Sequence, residues 1–460
     1  MLDLPFPVYQ QLLEEISLPR HSSPMALPRQ PSVEQTLKSD TARWLPTQCL
    51  LAGRASAGPR GEARIASNQS LRFAVTLLTF IGETVLALPS LIALRQAFPS
   101  AAITAITLKS NADLIRGHPV VDGVRICNLR SCDVDSLFQV SSYVCLAGLI
   151  RWLRLQSFDI GVELTPATKW LFRLAGVATI AEYPLDGVSI IRAKREVSPR
   201  APHAVDRYLS IVEQLGAYPI DGPIQLVVDS RARQFADGLL SAASARRHKL
   251  LVGVHFGASA RVKQWNPTRF AQLCNAITAE YEAQMLFFGG TREIALATQI
   301  ATQMPEPPVV ATGITSLKQT CALIERCHLF ISNDSGPLHL AAALRVPLVG
   351  IYGPTDHRIW GPQTDIGVIV RKDLPCSPCW RDPIEMPLVQ QLRLRLKRSA
   401  ACIDSITVND VCKAVDMVTE AVHPWNSGPL FGRPNRHDRW PVTSVRARAA
   451  SHKPSQDKVQ

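Results

Sequence analysis

The chain has 460 residues, of which 46% are hydrophobic and 19% charged, with a formal net charge of +12. Length and apolar content together support a large buried core, favour two domains with terminal extensions, and exclude wholesale disorder. Lys and Arg are scattered and no nucleic-acid-binding signature accompanies them, so anionic sugar nucleotides, lipid phosphates or a membrane surface explain the charge as well, and no nucleic-acid partner is expected.

Residues 1–67 are rich in Pro, Arg and Ser without a sustained period and read as a poorly ordered N-terminal extension. From Leu71 the texture changes. FAVTLLTF reads as a strand, Ile81-Gly82-Glu83 as a turn, and the following apolar pattern as a helix that ends before Phe98-Pro99. AAITAITL and SFDIGVEL read as further strands, and HAVDRYLSIVEQLGA from His203 as a helix with one apolar face. These elements form a first unit over residues 68–230, and the stretch from Gly222 to about His248, with Arg231, Arg233, Arg246 and Arg247, reads as the bridge to a second unit over 231–422.

The second unit opens with KLLVGVHFG and alternates regularly: a helix from Pro267 to Tyr281, the strand QMLFFGG, a helix from Arg292 to Met304, a strand near Val309, a helix from Leu317 to Cys327 and the strand at Leu329. Strands separated by helices of this length predict parallel sheets with helices on both faces, and two such units predict a cleft between them. The fold class is therefore α/β, with two Rossmann-like domains. The tail 423–460, rich in Pro, Arg, His and Ser, is expected to be disordered.

Three turns carry the chemistry, each at the carboxyl end of a predicted strand, where open parallel sheets bind their ligands. The first places Glu83 behind Gly82 at a helix start. A carboxylate there can act as a general base, or simply complement the helix dipole. The second, HFGASARVKQWNP, combines the small residues Gly257, Ala258 and Ser259 with the cations Arg261 and Lys263, a pattern that lets backbone amides and a mobile ammonium approach a phosphate. Trp265 is read as a packing residue. The third, Asn333-Asp334-Ser335-Gly336, caps a helix whose first turn holds His339, so that free N–H groups, the helix dipole and an imidazole face one point. An ordinary strand-to-helix cap would have the same local pattern.

The segments IGETVLALPSLIALRQAFP, SFDIGVEL, VGVHFGASARVKQWNPTRFAQL, FFGGTRE, NDSGPLHLAAALRVPLVGIYGPT and CSPC, in this order, resemble glycosyltransferase family 9, the heptosyltransferases that move heptose from ADP-heptose to lipopolysaccharide core or a related acceptor. The resemblance covers roughly residues 71–422 and implies the glycosyltransferase B-type fold, with acceptor recognition in the first domain and nucleotide-sugar binding in the second. It further implies an inverting transfer that requires no cofactor, with ADP-heptose as the donor substrate and a glycolipid or glycan as acceptor. The implied location is the cytoplasm, with peripheral contact to the inner face of the inner membrane left open. By position, the implied donor contacts are Ser259, Lys263, Glu293, Asp334, Ser335, Gly336, Leu338 and His339, with Glu83 as base and Lys263 as a catalytic cation. The family places Asp where this chain has Glu83. One methylene more moves the carboxylate by about 1.5 Å, and misplacement on that scale can cost on the order of 10²-fold in rate.

Eleven cysteines without regular disulfide spacing, in a chain read as having no signal peptide, point to a reducing compartment. No uncharged apolar run is long enough to span a bilayer. Cys376 and Cys379, with Cys402 and Cys412 downstream, have half the spacing of a thiolate metal site; a packed, redox-inert cluster is the competing reading, and the resemblance implies a reaction that requires no catalytic metal. Two further readings stay open: a non-catalytic nucleotide-sugar-binding scaffold, and a transferase that uses another sugar nucleotide or a protein acceptor. A dehydrogenase is disfavoured because no G-x-G-x-x-G follows either first strand.

Overall fold

The computed structural model describes residues 70–128, 140–166, 168–182, 203–219, 224, 226–243, 250–380, 397 and 400–421. The expected extension 1–67, the tail 423–460, and Arg246 and Arg247 of the expected bridge lie outside the described residues.

The first half is built from β1 (Arg72–Leu77), α1 (Ile81–Ala97), β2 (Ala102–Leu108), α2 (Ala112–Ile115), β3 (Gly123–Cys127), α3 (Val140–Gln156), β4 (Ile160–Glu163), α4 (Lys169–Ala175) and β5 (Thr179–Ala181). All strand pairs are parallel, in the order β3-β2-β1-β4-β5. Helix α5 (Ala204–Glu213) returns to pack on α1. Alternate residues of β1 divide the core. Phe73, Val75 and Leu77 face α1 and α5, whereas Ala74 and Leu78 face the layer that contains Leu149 and Leu153 of α3 and Phe172 of α4.

The second half follows with α6 (Ser230–Ala242), β6 (Leu251–His255), α7 (Pro267–Tyr281), β7 (Gln284–Phe288), α8 (Ile294–Ala301), β8 (Val309–Val310), α9 (Leu317–Ile324), β9 (Leu329–Asn333), α10 (Gly336–Ala343), β10 (Leu348–Ile351), α11 (His357–Trp360), β11 (Gly367–Val370), α12 (Ala401–Asp404) and α13 (Val408–Ala421). The sheet order is β11-β10-β9-β6-β7-β8, again all parallel. Its strands read as nearly continuous apolar runs because helices cover both faces, and every residue of β6 and β9 is buried. Part of the expected bridge is the helix α6, capped by Asp229 through the Ala232 N–H at 2.8 Å. It packs on α9, and Arg233 pairs with Glu325 at 2.9 Å.

In both sheets the chain reverses direction of growth beside the first strand, between β1 and β4 and between β6 and β9. Such switch points open a crevice at the carboxyl ends of the strands. The turns after β1, β6 and β9 are the three chemical turns read from the sequence. The first sheet's α1 packs directly on α10 of the second, and one apolar core runs through both halves on that side.

Candidate functional site

Asn333, fully buried at the end of β9, joins the second and third turns. Its amide donates to the Phe256 carbonyl at 2.8 Å and accepts from the Trp265 N–H at 3.1 Å. Trp265 is packed as expected, 1% exposed, with its indole N–H on the Ile406 carbonyl at 2.9 Å. The next residue, Asp334, turns toward the second loop, where Arg261–Lys263 form a short 3-10 turn. Lys263 Nζ lies 2.9 Å from Asp334 Oδ2 and 4.7 Å from the centre of the Trp380 ring. The two charged side chains are only 12% and 8% exposed, so the cation expected to be mobile is held between a carboxylate and an aromatic face. Burial raises the pKa of Asp334, but the Lys263 ammonium and the Thr355 hydroxyl outweigh it and leave the carboxyl below its ordinary value.

Ser335 occupies the N-cap position of α10 but makes no side-chain cap bond. Its hydroxyl lies 3.0 Å from His255 Nδ1 and 2.8 Å from Ser332 Oγ. The parallel register that sets His255 opposite Ser332 creates this cluster. Pro337 contributes no N–H, and the Leu338 N–H donates to the Ser335 carbonyl at 3.2 Å, so the opening of α10 presents fewer amides than expected. The Leu338 side chain is fully buried in the core beside Gly350. Its side chain packs in the core, and its amide closes the first turn of α10.

His339, in the first turn of α10, is 5% exposed, and its Nδ1 has no hydrogen-bond partner among the described residues. Burial lowers its pKa to about 4 against the opposing charge of Asp334, and burial does the same to His255. Both rings are therefore neutral hydrogen-bonding groups at pH 7. The His339 ring rests on Gly82: a Cβ at position 82 would lie 2.7 Å from His339 Cδ2. A Cβ at Gly336 would likewise meet Ile81 Cβ at 2.8 Å. Two glycines thus let the first turn of α1 sit against the start of α10, and Glu83 stands beside that contact. Its carboxylate accepts the Phe80 N–H at 3.2 Å, closing the start of its own helix.

Glu293 curls back at the start of α8 to accept the Gly290 N–H at 2.7 Å, and its other oxygen would be 2.8 Å from a Cβ at Gly257. The carboxylate therefore borders the second turn, where Ser259 is exposed. Among the described residues, no group of three or more His, Cys, Asp or Glu side chains is arranged to hold a metal ion. Cys376, Cys379 and Cys402 are close enough for burial, and then the charges of Cys379 and Cys376, to push the Cys402 thiol up. Cys412 packs against a different part of the core.

The model of glycosyltransferase family 9 (heptosyltransferase) matches residues 147–389, more than half of the chain. The chain belongs to this family. A curated relative, lipopolysaccharide heptosyltransferase 3 of Escherichia coli strain K12, is 25% identical over 301 residues, covering 63% of this chain and 84% of that protein. Lipooligosaccharide heptosyltransferase 2 of Campylobacter jejuni is 35% identical over 140 residues, 29% of this chain and 43% of its own length. Among solved structures, a family 9 glycosyltransferase from Veillonella parvula aligns with a TM-score of 0.60 at 22% identity, covering 76% of this chain and 97% of that one. The ADP-heptose lipopolysaccharide heptosyltransferase II of E. coli aligns at 0.57 and 18% identity, over 76% and 98%. The α/β fold of two Rossmann-like domains expected from the sequence is thus that of glycosyltransferase family 9, and this heptosyltransferase-family chain is a glycosyltransferase.

In this family 9 chain the structure brings Lys263 to Asp334, Ser335 to His255 and His339 to Gly82, with Glu83 next in sequence to that last contact and Glu293 bordering Gly257, two residues before Ser259. Sequence reading did not single out His255, Thr355 or Trp380, and it read Asn333 only as part of a helix cap. A polar residue ending a buried strand was a usable signal for His255 and Asn333. Nothing local marks Trp380, which reaches Lys263 only because the chain pairs Trp380 with Thr355 and its N–H with the Pro354 carbonyl at 2.8 Å.

Proposed function

We propose that this glycosyltransferase transfers heptose from ADP-heptose to a lipopolysaccharide core or a related cell-surface acceptor, with inversion at the anomeric carbon. The observation that carries the reading is the juxtaposition of the Glu83 turn with the Lys263–Asp334 pair and the start of α10, across the two switch points. The names of the relatives support heptose and the lipopolysaccharide acceptor, and a structural neighbour from E. coli was solved with ADP.

In this mechanism the acceptor hydroxyl oxygen attacks the anomeric carbon from the side opposite ADP while its proton passes to Glu83. The bond from that carbon to the β-phosphate oxygen breaks, and its electron pair leaves with the diphosphate. Lys263, the Gly336 N–H and neutral His339 then stabilise the charge that develops there, an electrostatic role suited to preorganised donors in a partly dry site. Asp334 and Trp380 position Lys263. No metal takes part in these steps.

Calorimetry with ADP-, UDP-, GDP- and CMP-sugars tests the donor, with Lys263→Ala as control. Selective binding of ADP-heptose, weakened by the substitution, supports the reading; preference for another nucleotide revises the donor. Glu83→Gln is expected to spare donor binding and abolish turnover. Equal turnover by Glu83→Gln and wild type would remove Glu83 as the base.

A further inference from the structure

The exposed face of α3 and α4 has an unusual composition. Among the described side chains of α3, the exposed ones are Val144, Ala147, Gly148, Arg151, Arg154 and Leu155, a single stripe at helical spacing, with Val144 68% and Leu155 72% exposed. Beside it, α4 exposes Trp170 and Leu174, 40% and 51%, together with Arg173. The helices pack on one another, and Arg154 donates to the Leu174 carbonyl at 2.7 Å, tying the end of α4 to α3. Neither helix contains an Asp or Glu. Arg125, on the adjoining strand β3, lies over Trp152 of α3 and adds another exposed cation. Glu182 pairs with Lys169 and Arg173, and among the described residues Arg125, Arg151 and Arg154 have no carboxylate partner.

We infer that this face docks on an anionic lipid bilayer. Exposed aliphatic side chains and an exposed indole, flanked by more cations than carboxylates, match the boundary between acyl chains and negative headgroups, where apolar groups insert and Arg stems reach back to phosphate. A soluble protein partner would not require this excess of cations over carboxylates among the described residues of the face. The face covers the side of the first sheet opposite α1 and α5, so docking leaves the contact between α1 and α10 uncovered. It also reaches the site end of the sheet. The loop into α4 is fastened to the end of β1, with Thr165 Oγ accepting the Leu78 N–H at 2.7 Å and Thr168 Oγ 2.9 Å from Thr76 Oγ. The surface follows from its own residues; its use, presenting a lipid-linked acceptor to Glu83, rests on the reading under Proposed function.

The test is co-sedimentation of the full chain with vesicles of pure phosphatidylcholine and with vesicles about one-third phosphatidylglycerol, at low and high salt. The expected result is salt-sensitive binding to the anionic vesicles alone, lost in Leu155→Glu/Leu174→Glu and weakened about fivefold in Arg151→Gln. Thermal unfolding of the variants, matching wild type, separates lost docking from lost folding. No binding by wild type, or equal binding by wild type and the folded double variant, overturns the proposal. A change of oligomeric state in the double variant without a change in vesicle binding also overturns it, in favour of self-association. Donor binding by calorimetry is unaffected by these variants, so failure of the transferase reading would be seen there and not in the vesicle assay.

Discussion

At the scale of single residues, the site is governed by burial. Lys263 and Asp334 are both largely removed from water, and a buried pair is costly to break because the survivor is left uncompensated. Asp334→Asn is therefore expected to lower unfolding free energy by about 3 kcal/mol in denaturant titration. Lys263→Ala is expected to weaken donor binding by about 1.5–3 kcal/mol, the value of a charge-assisted hydrogen bond. Trp380→Ala, which leaves the charge in place but removes the aromatic face, should cost less, on the order of 0.5–2 kcal/mol. Calorimetry on the two variants separates the cation from its positioning residue; an equal loss would contradict it. The buried imidazoles have the opposite sign of pH dependence from a paired histidine. With pKa values lowered to about 4, His255 and His339 take up protons more readily in the unfolded chain, so their contribution to stability is complete above pH 6.5 and is lost as pH falls from 6.5 toward 4. Melting temperature should fall across that window, and His339→Gln should flatten the fall.

At the scale of elements, the decisive event is the close approach of α1 and α10. Gly82 and Gly336 are the two positions at which a side chain would collide with the partner helix, with His339 in one case and Ile81 in the other. Overpacking a fitted contact costs about 1–3 kcal/mol. Gly82→Ala should show that loss in denaturant unfolding and should also displace His339, so donor affinity falls with stability. Gly336→Ala pushes on the apolar Ile81 side chain and not on His339, and should lose stability with a smaller loss of affinity. The two glycines were legible in the sequence as turn residues. Their role in admitting another helix was not, because nothing in a local pattern says which helix arrives. The same limit applies to α6, where the residues between Gly222 and His248 read as a bridge although the segment contains a capped helix that packs on α9.

At the scale of the whole molecule, the second and third turns follow adjacent strands of one sheet, and the contact between α1 and α10 sets the first turn beside the third; in the proposed reading the first domain supplies Glu83 and the second the diphosphate contacts. His203, which caps α5, reaches across to the Gly361 carbonyl at 3.0 Å and links the first half to the end of α11. A donor that binds only the folded chain stabilises it by about 2.7 kcal/mol at a hundredfold excess over its dissociation constant. ADP-heptose should therefore raise the melting temperature of wild type, and Lys263→Ala should lose most of that rise at the same concentration.

What the sequence by itself determined is the alternation of buried strands and helices, the position of three polar turns at strand ends, and the motif order shared with glycosyltransferase family 9. These are properties of periodicity and of short segments, and each is set by neighbours a few residues apart. Only the tertiary structure decided that Lys263 is clamped by Asp334 and Trp380, that Ser335 turns to His255 and leaves its helix uncapped, that Leu338 faces the core, and that Gly82 makes room for His339. Those facts depend on which strand ends become neighbours and how closely two helices approach, and the free energy that selects them comes from burial shared across the whole core.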